Sequence, residues 1–321
     1  MEDTLKDIRA KFGEDSIMKL DEKPNVDVGA ISTGSIGLDH ALGIGGMPRG
    51  RIVEIYGNES CGKTTLALHV VAQAQKKGIC AFVDAEHALD PQYAKKLGVR
   101  TDQLLISQPS SGEEALQIVD SLVRGGKIDV IVVDSVAALV TQSEIDGQIG
   151  DAHMAPQARM MSQSMRMLTP NIAKTNTLVI FINQTRAVIG GYGPVKSTTA
   201  GGKALKFYAS VRVELTKLAT IKKGEDPIGS RVKAKVVKNK VASPFKETEF
   251  DVIYNEGVSR EGEILLLGEK LGVVSKAGTA FVFGEVKLGR GYDSSRQFLK
   301  ENVAIADEIV KKIMSAKTEE V

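Results

Sequence analysis

Gly57-Asn58-Glu59-Ser60-Cys61-Gly62-Lys63-Thr64 satisfies the pattern G-x-x-x-x-G-K-[ST]. Its residue types suit phosphate chemistry. Glycines let backbone N–H groups turn inward around a β-phosphate, and a helix starting near Thr64 and Thr65 aims its N-terminus at the same charge. Lys63 supplies a point cation for the β- and γ-phosphates, and the Thr64 hydroxyl is a ligand for Mg²⁺. Chance would produce the pattern in about 1 % of chains this long at average residue frequencies, so it is read as a site. These residues and Thr65 form the expected binding set for ATP with Mg²⁺.

Three strand ends are expected to complete the site. Val130-Ile131-Val132-Val133-Asp134 is an apolar run that delivers a carboxylate to its C-terminal end. Asp134 there can hold a Mg²⁺-bound water, so Thr64 and Asp134 form the expected metal pair. Glu86, in Asp84-Ala85-Glu86-His87, follows another apolar run. If that strand lies beside the phosphate-loop strand, Glu86 falls near the γ-phosphate and can polarise the attacking water. His87 is the alternative base, though an exposed structural histidine is the simpler reading of it. Gln184 ends the run Phe181-Ile182-Asn183-Gln184. It is either a γ-phosphate reporter or an ordinary strand-end cap.

Such residues need a scaffold that gathers strand ends. Residues 51–56, 79–83, 104–107, 130–133 and 178–182 read as strands, and 64–77, 113–124 and 154–174 as helices. The β-branched run at 130–133 suits a strand covered on both faces. The alternation implies a mostly parallel sheet between helix layers. Residues 210–218, 231–240 and 246–254 alternate polar with apolar, which predicts antiparallel strands at one sheet edge. Near the start, residues 4–12 place Leu5, Ile8 and Phe12 on one helical face, and 16–20 read as a short strand. A segment this small must pack on the core or on another copy of the chain. After Ser259 a smaller α/β segment ends in a helix over 301–314. The predicted fold class is α/β: a P-loop core with a mostly parallel central sheet between helices. A small N-terminal helix-strand segment (1–25) precedes the core (26–258), and a small C-terminal α/β domain (259–321) follows it.

The chain has 321 residues and a net charge of +2, so no global basic field announces nucleic acid. Locally, Lys217, Lys222, Lys223, Arg231, Lys233, Lys235, Lys238 and Lys240 face only Glu225 and Asp226 between residues 217 and 240. That stretch is either a duplex-binding face or a solvated strand face. Cys61 and Cys80 form no C-x-x-C pair, and the four histidines lack zinc-ligand spacing. The first twenty residues hold no continuous apolar run. Neither a signal peptide nor a membrane span is expected there, and a cytoplasmic location is.

Several blocks follow in order over nearly the whole chain. They include Ile31-Ser32-Thr33-Gly34, Asp84-Ala85-Glu86-His87-Ala88-Leu89-Asp90-Pro91 and Val132-Val133-Asp134-Ser135-Val136-Ala137-Ala138-Leu139. Ala158-Arg159-Met160-Met161-Ser162-Gln163, Phe181-Ile182-Asn183-Gln184 and Val236-Val237-Lys238-Asn239-Lys240 follow. Together they resemble the bacterial RecA recombinase family, whereas P-loop proteins in general share only the first nucleotide motif. The resemblance implies a helical homo-polymer of ATP-bound subunits on single-stranded DNA that pairs it with homologous double-stranded DNA. It also implies activation of a self-cleaving transcriptional repressor of the DNA-damage response. Glu86 then matches the catalytic glutamate and Gln184 the γ-phosphate sensor. Asp90 and Tyr93 match positions that contact adenine. Lys238 and Lys240 match lysines that reach the neighbouring subunit's nucleotide. DNA loops are implied around 144–153 and 185–199. With Tyr192 their single aromatic, a base-stacking platform is not expected. Arg159, Arg166 and Arg186, with the amides of Gly201 and Gly202, are implied to grip phosphates without reading sequence.

Two departures stand out. Cys61 replaces the usual small hydroxyl residue, which raises the expectation of oxidation beside the phosphates. Residues 317–321 form no long acidic tail, so restraint of DNA uptake by such a tail is expected to be weak. Two other readings compete: a small-molecule kinase, which would need an Arg-rich lid that the sequence lacks, and a related repair accessory protein, which would need a zinc-binding front.

Overall fold

The computed structural model describes residues 1–19, 28–148, 156–187 and 197–319. It opens with α1 (Glu2–Phe12), closed by Gly13 at φ 101°, and α1 buries none of its side chains. The strand expected over residues 16–20 does not form among the described residues. Ser16 ends a 3₁₀ turn over Glu14–Ser16, residues 17–19 join no sheet, and Leu20 lies outside the described residues. A strand needs a partner edge, and the chain's own sheets offer it none here.

The core starts with β1 (Ala30–Ile31), α2 (Ile36–Leu42) and β2 (Met47–Pro48), which pairs with β1. Then β3 (Ile52–Gly57), α3 (Lys63–Ala74), β4 (Ile79–Asp84), α4 (Pro91–Lys96), β5 (Leu104–Ser107) and α5 (Gly112–Arg124) alternate. They are followed by β6 (Ile128–Asp134), a short α6 (Gln142–Ile145), α7 (Pro156–Thr175) and β7 (Leu178–Ala187). β8 (Ser197–Thr199) folds back antiparallel on β7, and α8 (Ala204–Tyr208) leads to β9 (Val211–Lys223). β10 (Asp226–Asn239), β11 (Glu247–Ile253) and β12 (Gly257–Val258) complete an edge of antiparallel strands. The sheet order is β12-β11-β10-β9-β3-β7-β6-β4-β5. From β9 to β5 every neighbouring pair is parallel.

Helices cover both faces of the parallel part. Val53, Ile55, Val130, Val132 and Ile180 pack with Leu66 and Val70 of α3, while Ile131, Val133, Val179 and Phe181 pack with α5 and α7. Successive strand residues point to opposite faces, so only an unbroken apolar run serves both layers. The β9–β10 hairpin runs beyond the expected 210–218 and 231–240. Its outer part, past Leu215, is largely exposed, so the ladder hydrogen bonds extend it where no buried face marks it in the sequence.

After Ser259 come α9 (Arg260–Lys270), β13 (Ser275–Ala277), β14 (Ala280–Phe283), β15 (Val286–Arg290), α10 (Tyr292–Glu301) and α11 (Val303–Glu319). They enclose their own cluster around Ile264, Phe281, Leu288, Leu299 and Ile309. The helix expected over 301–314 is α11, which starts at Val303 and is separated from α10 because Asn302 leaves helical geometry (φ −118°, ψ 67°) and turns its amide onto the Phe298 carbonyl. Polar ties fasten this unit to the core, among them Arg296 and Lys300 on Glu256 and two that reach buried carboxylates. The Tyr292 hydroxyl donates to Asp251 on β11, which also accepts both guanidinium contacts of Arg231. Arg231 is therefore committed within the fold rather than available to DNA.

The second tie is Glu263 on α9. It is fully buried and accepts from the Ser35 hydroxyl and from the Ile36 and Gly37 amides at the start of α2. Burial pushes its carboxyl up to about 7, against the three donors that favour the charged form, and Asp39 adds to the rise. The folded state thus holds a proton that the unfolded chain releases above its ordinary value near 4.5. This group's contribution is greatest below that value and is lost as pH rises toward about 7. Thermal unfolding at pH 5 and pH 7.5 should show a larger fall in Tm for the wild type than for Glu263→Gln. Equal falls would contradict the assignment.

Candidate active site

The expected residues gather at the C-terminal ends of the parallel strands, where open α/β sheets place ligands. Asn58, Glu59 and Ser60 are exposed, and Cys61 is buried beneath them. Gly57 ends β3 where a Cβ would lie 2.2 Å from the Leu215 carbonyl oxygen, so only glycine fits. Gly62 precedes α3 at φ 88°, and α3 has no side-chain N-cap, which leaves its first-turn amides without a side-chain acceptor. Lys63 Nζ donates to the carbonyls of Asn58 (2.7 Å) and Gly57 (3.3 Å), which holds the ammonium over the loop.

The Thr64 hydroxyl donates to Asp134 Oδ2 at 2.7 Å, joining the phosphate-loop helix to the end of β6. Asp134 is buried, and its carboxyl is raised to about 6, chiefly by burial, with Glu86 and Asp84 adding to the rise. A hydroxyl and a carboxylate side by side are hard oxygen donors, and three nearby carboxyls beside one lysine make a strongly anionic corner. With the uncapped helix start, this donor set fits a magnesium–triphosphate complex.

Glu86 arrives by a different route from the one expected. β4 does not neighbour β3; β7 and β6 lie between them. The turn after β4 instead folds toward β6, with the Ala85 and Glu86 amides donating to the Asp134 carbonyl. Glu86 Oε1 then accepts from the Ser135 hydroxyl and from Gln184 Nε2 (3.3 Å), and Gln184 ends the part of β7 that runs beside β3. Oε2 of Glu86 has no partner among the described residues. His87 is exposed in a left-handed turn at φ 55°. Asp90 caps α4 through the Gln92 amide (2.8 Å), and the Tyr93 hydroxyl lies 2.7 Å from Thr65 Oγ1, so α4 borders the phosphate-loop helix.

Lys238 and Lys240 lie at the end of β10. Lys238 Nζ donates to the Lys206 and Phe207 carbonyls (2.7 and 2.9 Å), and Lys240 Nζ to Phe207 (3.4 Å). Among the described residues neither contacts the phosphate loop of its own chain. Burial, then Lys240 and Arg212, hold Lys238 below the usual lysine range. Arg159 and Arg166 are exposed on one face of α7 and line a shallow hollow with Ala158, Ser162 and Gln163. The Gly201 amide donates to Gln157 Oε1 (3.2 Å), so in this arrangement it is taken, while Gly202 is exposed at φ 74°. Residues 149–155 and 188–196, which include parts of both expected DNA loops and Tyr192, lie outside the described residues, as does the side chain of Arg186.

The sequence reading missed Ser135 and Asn183. Ser135 sits directly after Asp134, and only the bend of the turn at residues 85–86 toward β6 reveals its contact with Glu86.

Fold and site define a P-loop nucleoside triphosphatase class. Comparison with known proteins narrows it. The family model described as the RecA N-terminal domain matches residues 1–259, and that described as the RecA C-terminal domain matches 262–318. "Protein RecA" of Campylobacter jejuni subsp. doylei is 58 % identical over 315 residues, covering 97 % of this chain and 92 % of that protein. "Protein RecA" of Rickettsia canadensis is 57 % identical over 308 residues, covering 96 % and 90 %. A solved RadB recombinase has a similar fold (TM-score 0.53, 23 % identity, 71 % of this chain and 98 % of that one). The chain belongs to the RecA family. It is therefore a recombinase and DNA-dependent ATPase of recombination, repair and the DNA-damage response, which binds nucleotide and DNA and self-associates.

The position of Cys61 reverses one expectation. It is 1 % exposed, and burial raises its thiol despite the nearby Lys63. A protonated, covered thiol is a poor nucleophile. Folded protein should therefore react with a disulfide reagent slowly, whereas denatured protein releases both thiols at once. One fast thiol in the native protein would contradict this.

Proposed function

We propose that the chain polymerises on single-stranded DNA with ATP and Mg²⁺, pairs that strand with homologous duplex and exchanges strands while hydrolysing ATP. The observation that carries this is the convergence of Lys63, the Thr64–Asp134 pair, and Glu86 held by Ser135 and Gln184. Gly57, Gly62 and the start of α3 bind the phosphates, with Lys63 as their cation. Thr64 and Asp134 would hold Mg²⁺, which would supply charge to stabilise the transferring phosphoryl group. Two donors fix Glu86 Oε1, which orients Oε2 to take the proton of the attacking water. Gln184, bonded to Glu86 at the end of β7, is placed to report phosphate occupancy to the DNA loop beyond. Tyr93 and Asp90 flank the base.

Self-assembly is supported by surfaces the single chain leaves open. α1 buries nothing, Phe12 is 67 % exposed, and the edge strand β5 shows Leu105 and Ile106 at about half exposure. Lys238 and Lys240 then reach a neighbour's nucleotide rather than their own. Two cations across the boundary would make the ATP-bound interface tighter than the ADP-bound one. Arg159, Arg166, Arg186 and Gly202 contact the DNA backbone. The segments 1–25, 26–258 and 259–321 act respectively in subunit packing, catalysis and a supporting C-terminal role. The polymer promotes self-cleavage of the repressor of the damage response, and the setting is the cytoplasm. No helix among the described residues is long and apolar enough to cross a membrane.

Purified protein should hydrolyse ATP slowly alone and much faster with single-stranded DNA. Glu86→Gln should still assemble on DNA with ATP but hydrolyse ~10²–10⁴-fold more slowly, the range for a lost general base. Normal turnover by that variant would remove Glu86 from the mechanism. Lys238→Glu with Lys240→Glu should leave folded monomers and abolish filaments in electron micrographs, and intact filaments would refute the cross-subunit role.

A further inference from the structure

Gln157 stands in the first turn of α7, just past the expected first DNA loop, and spends its whole side-chain amide on backbone. Nε2 donates to the Val136 carbonyl (2.8 Å) and to the Leu139 carbonyl (3.0 Å), and Oε1 accepts from the Gly201 amide (3.2 Å). Val136 and Leu139 lie on the chain that leads from β6 toward the first loop, and Gly201 lies on the chain that follows the second. One side chain thus ties the roots of both loops to one point on α7.

We propose that Gln157 is a positioning residue that holds the roots of the two DNA loops together, so that Arg159 and the Gly202 amide form one preassembled surface for a single-stranded DNA backbone. The proposal deepens the function proposed above and rests on it. Phosphate contacts orient a strand without reading its sequence, and they bind more tightly when they are in place before the strand arrives. Arg159 follows Gln157 by two residues on α7 and is exposed, and Gly202 is exposed next to Gly201. The bond from Gly201 to Gln157 therefore sets the distance between an arginine of the helix and an amide of the returning chain.

The close fit around this side chain is a second, independent observation. Gly201 and Gly202 have positive φ, 78° and 74°. A Cβ on Gly201 would lie 2.8 Å from Val136 Cγ1, and one on Gly202 2.9 Å from Ala158 Cβ. The returning chain presses on the first loop's root and on the first turn of α7 at once, which only glycine allows. That root is itself anchored, because the Gly112 amide of α5 donates to the Val140 carbonyl (2.7 Å) and both Val136 and Leu139 are buried. Gly201 is buried as well. Without Gln157 the three backbone groups regain these partners only by admitting water, which opens the junction and lets the two loops move apart.

The test uses the full chain and Gln157→Leu, which is close in size but has no polar atoms. In DNA-free wild type the Gly201 amide should be protected from hydrogen exchange. In Gln157→Leu exchange should quicken in both segments, 136–146 and 197–205. Single-stranded DNA affinity is then measured over a range of salt with a slowly hydrolysed ATP analogue. Gln157→Leu should weaken binding and leave the salt slope unchanged, because glutamine carries no charge. Arg159→Ala should lower the slope by about 0.7, the value for one phosphate on a single strand. In the double variant, Arg159→Ala should cost at least about two-fold less affinity than it costs the wild type, since an arginine already out of place has less to lose. A purely structural role for Gln157 would make the two losses multiply independently. Should Gln157→Leu fail to fold, the unbranched Gln157→Met takes its place in every measurement. The proposal is overturned if the wild-type Gly201 amide is unprotected, if exchange quickens in only one segment, if the folded variant binds DNA as the wild type does, or if the losses are independent. A wild type that binds no single-stranded DNA would instead overturn the proposed function.

Discussion

The hydrogen bond from Thr64 to Asp134 is the contact on which the site is built. It crosses from the first turn of α3 to the end of β6, two strands away from β3. Asp134 is costly where it lies. It is buried, and Glu86 and Asp84 repel its charge, so its carboxyl rises to about 6. Nothing in packing requires a carboxylate there, and a buried aliphatic side chain would suit β6 better. A fold that sets Glu86 and Asp84 against a buried Asp134, with Lys63 as the opposing cation, is arranged for a ligand that brings positive charge of its own.

The rest of the core follows from keeping those groups in register. β3, β7 and β6 lie side by side, so Gly57, Gln184 and Asp134 end on one edge of the sheet. Covering both faces of these strands demands unbroken apolar runs, and that leaves the polar work to strand ends and loops. Glu86 reaches the same edge only because the turn after β4 bends over β6 and is held by the Asp134 carbonyl. The C-terminal unit sits apart from this chemistry. Glu263 and Tyr292 fix it to α2 and β11 by polar contacts that desolvation makes demanding of geometry.

What the sequence revealed follows the range of the interactions. The phosphate loop is a local motif, so Lys63 and Thr64 were legible from eight adjacent residues. Asp134 was legible because a long apolar run ends on it. Strand order was not, since no residue in β4 records that β6 and β7 separate it from β3, and the expected route for Glu86 was wrong for that reason. The strand expected at 16–20 does not form over its described residues, 16–19, because a short apolar stretch cannot by itself supply a partner edge. Asn183 read as part of a buried strand end, and its partners Glu54 and Ala200 lie 129 and 17 residues away in the chain. Cys61 was judged by its neighbours in sequence, while its exposure depended on packing beneath the loop.

The central claim is that Lys63, Thr64 and Asp134 hold a magnesium–nucleotide complex at the end of β3. A crystal structure with Mg²⁺ and a non-hydrolysable ATP analogue tests it most directly. The account predicts that Lys63 Nζ leaves the Asn58 and Gly57 carbonyls for phosphate oxygens and that Thr64 and Asp134 face the metal. A nucleotide bound elsewhere, with Lys63 still on those carbonyls, would contradict it.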